Sequence, residues 1–214
     1  MARIIVVGGT GYAGGNIVRE AAQRGHEVTA LSRTAPADKT PGVTYVEVDV
    51  LDLAALAAAL EGADVIVGAL SPRGALEGKL EGVSKEVADF ATKSGTRLGV
   101  IGGAGSLLVA PGGPTVASGE GFPAEIKPEA DEMARILDDL RASDEALDWF
   151  YVSPAGSFGP WFPGEHTGTF RIGGDVLMVD AEGKSEISGA DFAQAVVDEI
   201  EQPAHRRERF SVAY

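Results

Sequence analysis

The sequence predicts an α/β fold in which a doubly wound parallel sheet carries helices on both faces. Short β-branched runs alternate with longer segments of helical periodicity, and this order favours parallel strands joined by helical crossovers. A glycine-rich turn separates the first strand-like run from the first helical segment. The 214 residues, 44% of them hydrophobic, suffice for one such domain with a full core. We therefore expect a single domain over residues 1–214.

The predicted elements follow from apolar periodicity and from residues that begin or end helices. Asp52 is a favourable N-cap, Gly25 and Gly95 end helical segments, and Pro128 suits a first helical turn. The predicted strands of the main sheet are Ile4–Val7, Glu27–Leu31, Thr44–Val48, Asp64–Val67, Arg97–Ile101 and Trp149–Val152. The predicted helices are Gly14–Arg24, Leu53–Leu60, Leu80–Ser94, Pro128–Arg141 and Gly189–Glu201.

The chain changes character after the sixth predicted strand. Val152–Thr169 is rich in glycine, proline and aromatic side chains and has few periodic apolar positions. Short strands are predicted near Val176–Val179 and Arg209–Val212. We expect residues 153–188 to form a small C-terminal lobe on the substrate side of the same sheet and not a second domain.

The composition excludes several kinds of site and partner. There is no cysteine, so disulfides and cysteine nucleophiles are absent, and the three histidines lack the spacing of metal ligands. The net charge of −14 disfavours nucleic acid and anionic membrane surfaces as partners. No apolar run reaches the length of a membrane span, and a core strand begins too early for a signal peptide. We expect a cytoplasmic protein without a metal ion.

The turn after the first strand has the glycine pattern of a dinucleotide-binding (Rossmann) fold. Gly8 permits the sharp turn, Gly11 lets backbone N–H groups approach a pyrophosphate, and Gly14 lets the helix pack closely. The helix N-terminus adds unpaired N–H donors and a positive dipole end. A merely tight βα turn, which is the alternative, does not explain three glycines. The predicted cofactor contacts here are Gly8, Thr10, Gly11, Tyr12, Ala13 and Gly14.

The end of the second strand predicts which nicotinamide cofactor is preferred. NAD-binding folds usually have an acid there for the ribose 2′-hydroxyl, whereas this chain has Ser32 and Arg33. The arginine offers a planar set of donors to a 2′-phosphate, and the serine hydroxyl can add a hydrogen bond. We therefore expect NADP(H) to be preferred over NAD(H). The alternative is that Arg33 is a solvated turn residue and that the corner accepts either cofactor.

Further cofactor contacts are expected where the other parallel strands end. After the third strand, Asp49 can accept a hydrogen bond from the adenine amino group while Val50 packs on the ring. Alternatively, Asp49 only shapes the loop beside Asp52. Small residues after the fourth strand leave room for the ribose and the pyrophosphate. The expected contacts after strands four, five and six are Ala69, Leu70, Gly102, Gly103, Ser153, Pro154 and Ala155.

Two polar side chains are candidates for the chemistry at the nicotinamide. Ser106 follows the fifth strand, where a hydroxyl can polarise a carbonyl of the substrate, although the same serine would also suit a turn. His166 is the only histidine expected in the crevice and is a candidate acid, with an ordinary surface histidine as the alternative. We expect Phe158, Trp161 and Phe162 to line the substrate site and to stack on the substrate.

Together these motifs resemble the atypical short-chain dehydrogenase/reductases over nearly the full length. The segments that carry the resemblance are Gly8–Gly14, Asp49–Val50, Gly102–Ser106 and Ser153–Ala155. Within that class the chain is similar to the NAD(P)H-binding, NmrA-like group often labelled NADH-flavin reductases. That similarity extends to Pro163–Gly168, Gly173–Asp175, Ile187–Ser188 and Asp191. Biliverdin-IXβ/flavin reductase is similar in layout, and the resemblance implies that its serine after strand five corresponds to Ser106.

One departure from the wider superfamily restricts the expected chemistry. The main short-chain dehydrogenases and the sugar-nucleotide epimerases use a Tyr-x-x-x-Lys pair on the helix before the sixth strand to pass a proton. That helix contains Lys127 but no tyrosine in this chain. We therefore expect NADPH-dependent hydride transfer to a small conjugated acceptor, such as a flavin or a quinone, that draws its proton from solvent.

Two other functions stay open at this point. A non-catalytic NADP(H)-binding redox sensor would also lack the tyrosine–lysine pair. A reductase, isomerase or dehydratase of a specific metabolite would use Ser106 or His166 as its polar group. No separate flavin-binding motif is visible, so a flavin is possible as a substrate. No pattern marks an oligomer interface, which leaves a monomer or a homodimer.

Overall fold

The computed structural model describes residues 1–214 as one eight-stranded sheet flanked by five α-helices. The strands are β1 Arg3–Val7, β2 Glu27–Ser32, β3 Val43–Glu47, β4 Val65–Gly68, β5 Arg97–Ile101, β6 Trp149–Pro154, β7 Arg171–Gly173 and β8 Glu208–Ala213. The helices are α1 Tyr12–Gln23, α2 Leu53–Ala59, α3 Leu80–Ser94, α4 Lys127–Arg141 and α5 Gly189–Glu201.

The order of the strands across the sheet is β3-β2-β1-β4-β5-β6-β8-β7. All neighbouring strands run parallel except β7 and β8, which pair antiparallel. The chain winds outward in one direction from β1 and in the other from β4, so the switch point lies between these two strands. In doubly wound sheets, ligands bind outside the carboxyl ends of the strands at such a point. The predicted fold class is confirmed.

Apolar side chains bury the sheet on both faces. Because the side chains of a strand alternate between faces, Ile4 and Val6 of β1 belong to the cluster beneath α1 and α5. Ile5 and Val7 belong to the cluster beneath α2, α3 and α4. The helices contribute one stripe each, such as Ile17 of α1, which is fully buried. This two-sided burial explains why the central strands read as continuous hydrophobic runs.

The predicted strand near Val176–Val179 is wrong, and a strand that the sequence pattern did not reveal lies a few residues earlier. Arg171–Gly173 forms β7, which pairs antiparallel with Ser211–Ala213 at the edge of the sheet. Val176 makes only an isolated bridge with Leu108. The backbone of this segment pairs with Leu108 instead, which donates to the carbonyl of Asp175 and accepts from the N–H of Leu177. The guanidinium of Arg171 also donates to the carbonyl of Val179 at 3.0 Å.

A buried polar cluster joins β5 to the C-terminal end of α5, at the end of the sheet opposite the crevice. The Arg97 guanidinium lies 2.6 Å from the Glu199 carboxylate and also donates to the carbonyls of Glu199 and His205. Glu199 is 3% exposed. Burial opposes ionisation of Glu199, but the hydrogen bonds from Arg97 and His205 outweigh it and lower the pKa of the carboxyl. The pair is therefore ionised inside the protein.

Candidate active site

The glycine turn between β1 and α1 is tightly closed. Gly8 has φ +86°, and a Cβ built on it would lie 2.6 Å from the carbonyl oxygen of Ala69. A Cβ on Gly14 would lie 2.2 Å from the carbonyl oxygen of Gly8. Both distances are far inside van der Waals contact, so only glycine fits at either position. The turn at Gly8, the start of α1 and the end of β4 are therefore in close backbone contact. We call this arrangement the glycine cradle.

Helix α1 begins at Tyr12, two residues before the predicted start, with Gly11 as its N-cap. The first N–H of the helix to find a carbonyl in the chain is that of Gly15, which donates to Gly11 at 2.8 Å. The N–H groups of Tyr12 and Ala13 have no acceptor in the chain. No acidic residue lies in the first turn. This end therefore offers donors and a positive dipole to an anion, which fits a pyrophosphate.

The end of β2 brings Ser32 and Arg33 together with Glu47, a residue that the sequence analysis did not single out. The Ser32 hydroxyl donates to the carbonyl of Thr34 at 2.8 Å. Arg33 is exposed and has no hydrogen-bond or ion-pair partner in the chain. The carboxylate of Glu47, from the neighbouring strand β3, accepts a hydrogen bond from the Ala35 N–H at 3.1 Å. The corner is therefore not free of acids, and its loop is held by Glu47.

The two aspartates that follow β3 have different roles. Val50 is buried, with 5% exposure. Asp49 is exposed, and its carboxylate accepts a hydrogen bond from the Leu51 N–H at 3.0 Å. Asp52 caps α2 by accepting from the Ala55 N–H at 3.0 Å. Helix capping thus belongs to Asp52, and Asp49 shapes the turn in front of it.

The floor of the crevice is built from small residues at the ends of β4, β5 and β6. A Cβ on Gly102 would lie 2.1 Å from the ring of Tyr151, which passes directly beneath it. Tyr151 is fully buried and donates to the carbonyl of Met133, and burial raises the pKa of its phenol. Tyr151 therefore does not take the place of the tyrosine that the Tyr-x-x-x-Lys pair supplies in the main short-chain dehydrogenases. The remaining predicted floor contacts are Ala69, Leu70, Gly103, Ser153, Pro154 and Ala155, of which the last three are buried.

Ser106 lies in a single 3-10 turn, Ala104–Ser106, that leaves the end of β5. Its side chain is half-buried and contacts a residue from the other end of the chain. The Arg209 guanidinium of β8 donates to the Ser106 hydroxyl oxygen at 3.0 Å and to its carbonyl at 3.1 Å. Asp175 pairs with the same guanidinium. Arg209 belongs to no local motif, and Asp175 entered the sequence analysis only as part of the resembling segment Gly173–Asp175, without a role at Ser106.

The three aromatic residues that were predicted to line the substrate site take different positions. The ring of Phe158 packs between Tyr12 and Phe192, with centroid distances of 5.2 and 4.6 Å, so it anchors the loop to α1 and α5. The Tyr12 hydroxyl donates to the carbonyl of Phe162 at 3.4 Å. Trp161 is 68% exposed. Of the three aromatic rings, Trp161 is thus the one most open to solvent and to a ligand.

His166 forms a dyad with a buried carboxylate. Its Nδ1 lies 2.7 Å from Oδ1 of Asp191, which is fully buried at the start of α5. The Tyr214 hydroxyl donates to the same carboxylate at 2.6 Å. Thr167 and Gly168 also donate to it. Burial opposes ionisation of Asp191, but these hydrogen bonds lower its pKa to about 2. Because an ionised carboxylate only accepts, Nδ1 of His166 donates, and Nε2 has no partner in the chain.

We expect this carboxylate to make the protein acid-sensitive. A folded-state pKa depressed to about 2 gives stability that is fully present above the unfolded pKa of about 3.9 and is lost as the pH falls towards 2. Asp191→Asn should remove about 2 kcal/mol of unfolding free energy near neutral pH and flatten this acid limb. Urea unfolding at a series of pH values measures both effects. An unchanged acid limb in the variant would show that other carboxyl groups carry it.

Fold and site together define a dinucleotide-binding α/β protein. The chain belongs to the NAD(P)H-binding family, because the sequence profile of that family matches residues 8–203. The similarity to the atypical short-chain dehydrogenase/reductases, anticipated from the motifs, is thereby confirmed. No helix of the chain has both the length and the apolar character needed to cross a membrane.

Several relatives are similar over their full length. The chain is 38% identical to the Bacillus subtilis (strain 168) protein YwnB, covering 98% of this chain and 97% of YwnB. A Streptococcus pneumoniae structure named for the NADH-flavin reductases has 33% identity and a TM-score of 0.84, covering 100% and 99% of the two chains. A Burkholderia pseudomallei structure, named for an exported protein, has 42% identity and a TM-score of 0.87 with full coverage of both.

Proposed function

We propose that this protein is an NADPH-dependent reductase that transfers hydride to a flavin, a quinone or a similar conjugated small molecule. The observation that carries the proposal is a closed glycine cradle whose crevice contains a serine hydroxyl but no tyrosine–lysine pair. A conjugated acceptor suits such a site, because it can take hydride at one atom and its proton from solvent. The similarity to a structure named for the NADH-flavin reductases supports the same class of acceptor.

In this proposal, most of the catalysis comes from positioning. The bound nicotinamide supplies the hydride. The N–H groups at the start of α1 hold the pyrophosphate, and Gly102 lets the ring of Tyr151 pack directly beneath the end of β5. Ser106 donates a hydrogen bond to a carbonyl of the acceptor. Trp161 covers the acceptor from the solvent side. The dyad of His166 and Asp191 holds the loop that follows Trp161 against α5.

The direct test is oxidation of NADPH by the purified protein, followed optically with FMN and a small quinone as parallel acceptors. We expect turnover above the uncatalysed background with at least one of them. Ser106→Ala should lower kcat without changing the affinity for NADPH. Tight NADPH binding without turnover of any acceptor would contradict the proposal. It would favour a redox sensor, or a reductase or isomerase of a specific metabolite.

Arg33 is proposed to select NADP(H). Arg33→Ala should weaken NADPH binding by about 1.5–3 kcal/mol, or about 10- to 150-fold, because a charge-assisted contact with the 2′-phosphate is lost. NADH binding should not change. Fluorescence titration with both cofactors measures the effect. Arg19→Ala is a matched control, since Arg19 is also an exposed arginine and lies on α1. Equal weakening for both cofactors would contradict the assignment.

We further propose that the protein acts in the cytoplasm as a monomer or a homodimer. The high negative charge of −14 supports a partner that is a small molecule and not nucleic acid or an anionic membrane. Since a relative from Burkholderia pseudomallei is named for an exported protein, cell fractionation is a necessary check. Recovery of the protein mainly outside the cytoplasm would overturn the proposed location.

A further inference from the structure

The side chain of Arg209 is a buried cation beside the crevice with an unusual set of partners. It is 3% exposed and comes from β8, 103 residues after Ser106 in the chain. Its Nε donates to Asp175 at 2.7 Å, and its Nη1 donates to the hydroxyl and the carbonyl of Ser106. Asp175 is 52% exposed and is shared with Arg141. Water therefore weakens the ion pair with Asp175, whereas the Ser106 side chain is half-buried.

The contact with Arg209 fixes how the Ser106 hydroxyl can be used. A serine hydroxyl has one hydrogen to donate and two lone pairs to accept, whereas a guanidinium only donates. Arg209 thus occupies a lone pair of the oxygen, and the hydroxyl hydrogen must point elsewhere. The phenol of Tyr151 lies beside the same hydroxyl, and a hydrogen bond with Ser106 is one of the contacts that lower the pKa of that phenol. The half-buried Ser106 hydroxyl can therefore direct its hydrogen either to Tyr151 or to a ligand in the crevice.

The charge of Arg209 also strengthens this donor. A cation at hydrogen-bond distance withdraws electron density from the hydroxyl oxygen and stabilises negative charge that develops there. A negative charge develops on the carbonyl oxygen of an acceptor as it receives hydride. Tyr151 cannot itself donate to the acceptor, because its phenol is fully buried and donates to the carbonyl of Met133.

We propose that Arg209 is a positioning residue, which orients the Ser106 hydroxyl and polarises it as a hydrogen-bond donor to the acceptor. This inference rests on the proposed reductase function, because that function defines the acceptor. The effect of the Arg209 charge on the side chain at position 106 can nevertheless be measured without any turnover.

The absence of cysteine from the chain makes that measurement simple. Ser106→Cys introduces a single thiol at the position of the hydroxyl, and the pH dependence of its alkylation by iodoacetamide gives its pKa. We expect this pKa to rise by about one unit or more when Arg209→Met is added, because the thiolate loses its cation. Arg209→Gln, which is also neutral but keeps a donor, serves if Arg209→Met does not fold. Equal thiol pKa values with and without the guanidinium would overturn the proposal.

Arg141→Ala provides a matched control in the Ser106→Cys background. Arg141 donates to the same Asp175 at 3.1 Å but does not contact Ser106. Its removal should shift the thiol pKa much less than the removal of Arg209. A shift as large as that of Arg209→Met would assign the effect to the general field of the cluster and would contradict the proposal.

Turnover gives a second and independent readout. Ser106→Ala and Arg209→Met should each lower kcat about 10-fold. The double variant should be no slower than the single ones, because Arg209 acts through Ser106. Additive losses would overturn the proposal. If the wild-type protein reduces no acceptor, the proposed function fails, and the thiol titration still decides the role of Arg209.

Discussion

Gly14→Val is expected to abolish useful binding of the nicotinamide cofactor. A Cβ at position 14 would lie 2.2 Å from the carbonyl oxygen of Gly8, and this neighbour is backbone that cannot rotate away. The helix must therefore move off the turn, which pulls the N–H groups of Tyr12 and Ala13 away from the pyrophosphate. We expect NADPH affinity to fall about 100-fold or more and the unfolding free energy to fall by about 3 kcal/mol. Fluorescence titration and urea unfolding measure the two effects.

Gly15→Ala is the control for this variant. A Cβ on Gly15 meets only the carbonyl oxygen of Gly9, at 3.8 Å, which is ordinary contact. The substitution also replaces glycine by a better helix former within α1. We expect unchanged cofactor affinity and equal or slightly higher stability. If Gly14→Val bound NADPH as well as Gly15→Ala does, the glycine cradle would not be the cofactor site.

Glu199→Ala is expected to be the most destabilising change away from the crevice. It leaves the Arg97 guanidinium buried without its main carboxylate partner, which costs about 3–5 kcal/mol in other proteins. The C-terminal end of α5 also loses its connection to β5, since Arg97 bridges the two elements. Thermal and urea unfolding should show this loss, whereas cofactor affinity at a temperature where the variant is folded should not change.

Lys127→Ala removes an exposed ion pair and is the control that shows how much of the effect of Glu199→Ala is due to burial. The Lys127 ammonium lies 2.7 Å from Asp131, almost the same distance as in the Arg97–Glu199 pair, but both side chains are about half exposed. We expect a loss of about 0.5 kcal/mol or less, because water screens an exposed pair. Similar losses of unfolding free energy for Glu199→Ala and Lys127→Ala would show that burial does not increase the contribution of the Arg97–Glu199 pair to stability.

Local sequence patterns predicted the parts of the site that are built locally. The glycine turn is one continuous segment, and every steric requirement on Gly8 and Gly14 comes from nearby backbone. Six strands of the parallel sheet were predicted to within two residues. The central strands β1, β4, β5 and β6 are mostly apolar and buried, whereas β3 at the edge is recognised by its β-branched and aromatic residues and not by burial. The edge strand Arg171–Gly173 was missed because three residues beside glycines carry no periodic signal, whereas the more apolar Val176–Val179 does.

The side chains that organise the polar groups could not be predicted from local patterns. Arg209 reaches Ser106 across 103 residues, Asp191 reaches Thr167 across 24, and Glu47 reaches Ala35 across 12. Composition does not reveal such partners. A local pattern also does not reveal which neighbours an aromatic ring contacts. Phe158 was predicted to stack on the substrate because it lies in a glycine-rich loop, and in the structure its ring packs between Tyr12 and Phe192.

The position of β8 between β6 and β7 has a consequence for the order in which the molecule assembles. The backbone of the glycine cradle closes through contacts among Gly8, Gly14 and Ala69, but α1 is covered by α5, and Ser106 receives its guanidinium from β8. Both α5 and β8 lie near the end of the chain, and such long closures are slow in folding. During refolding from denaturant, tight NADPH binding and the final environment of the oxygen at position 106 should therefore appear together, after the C-terminal part has docked.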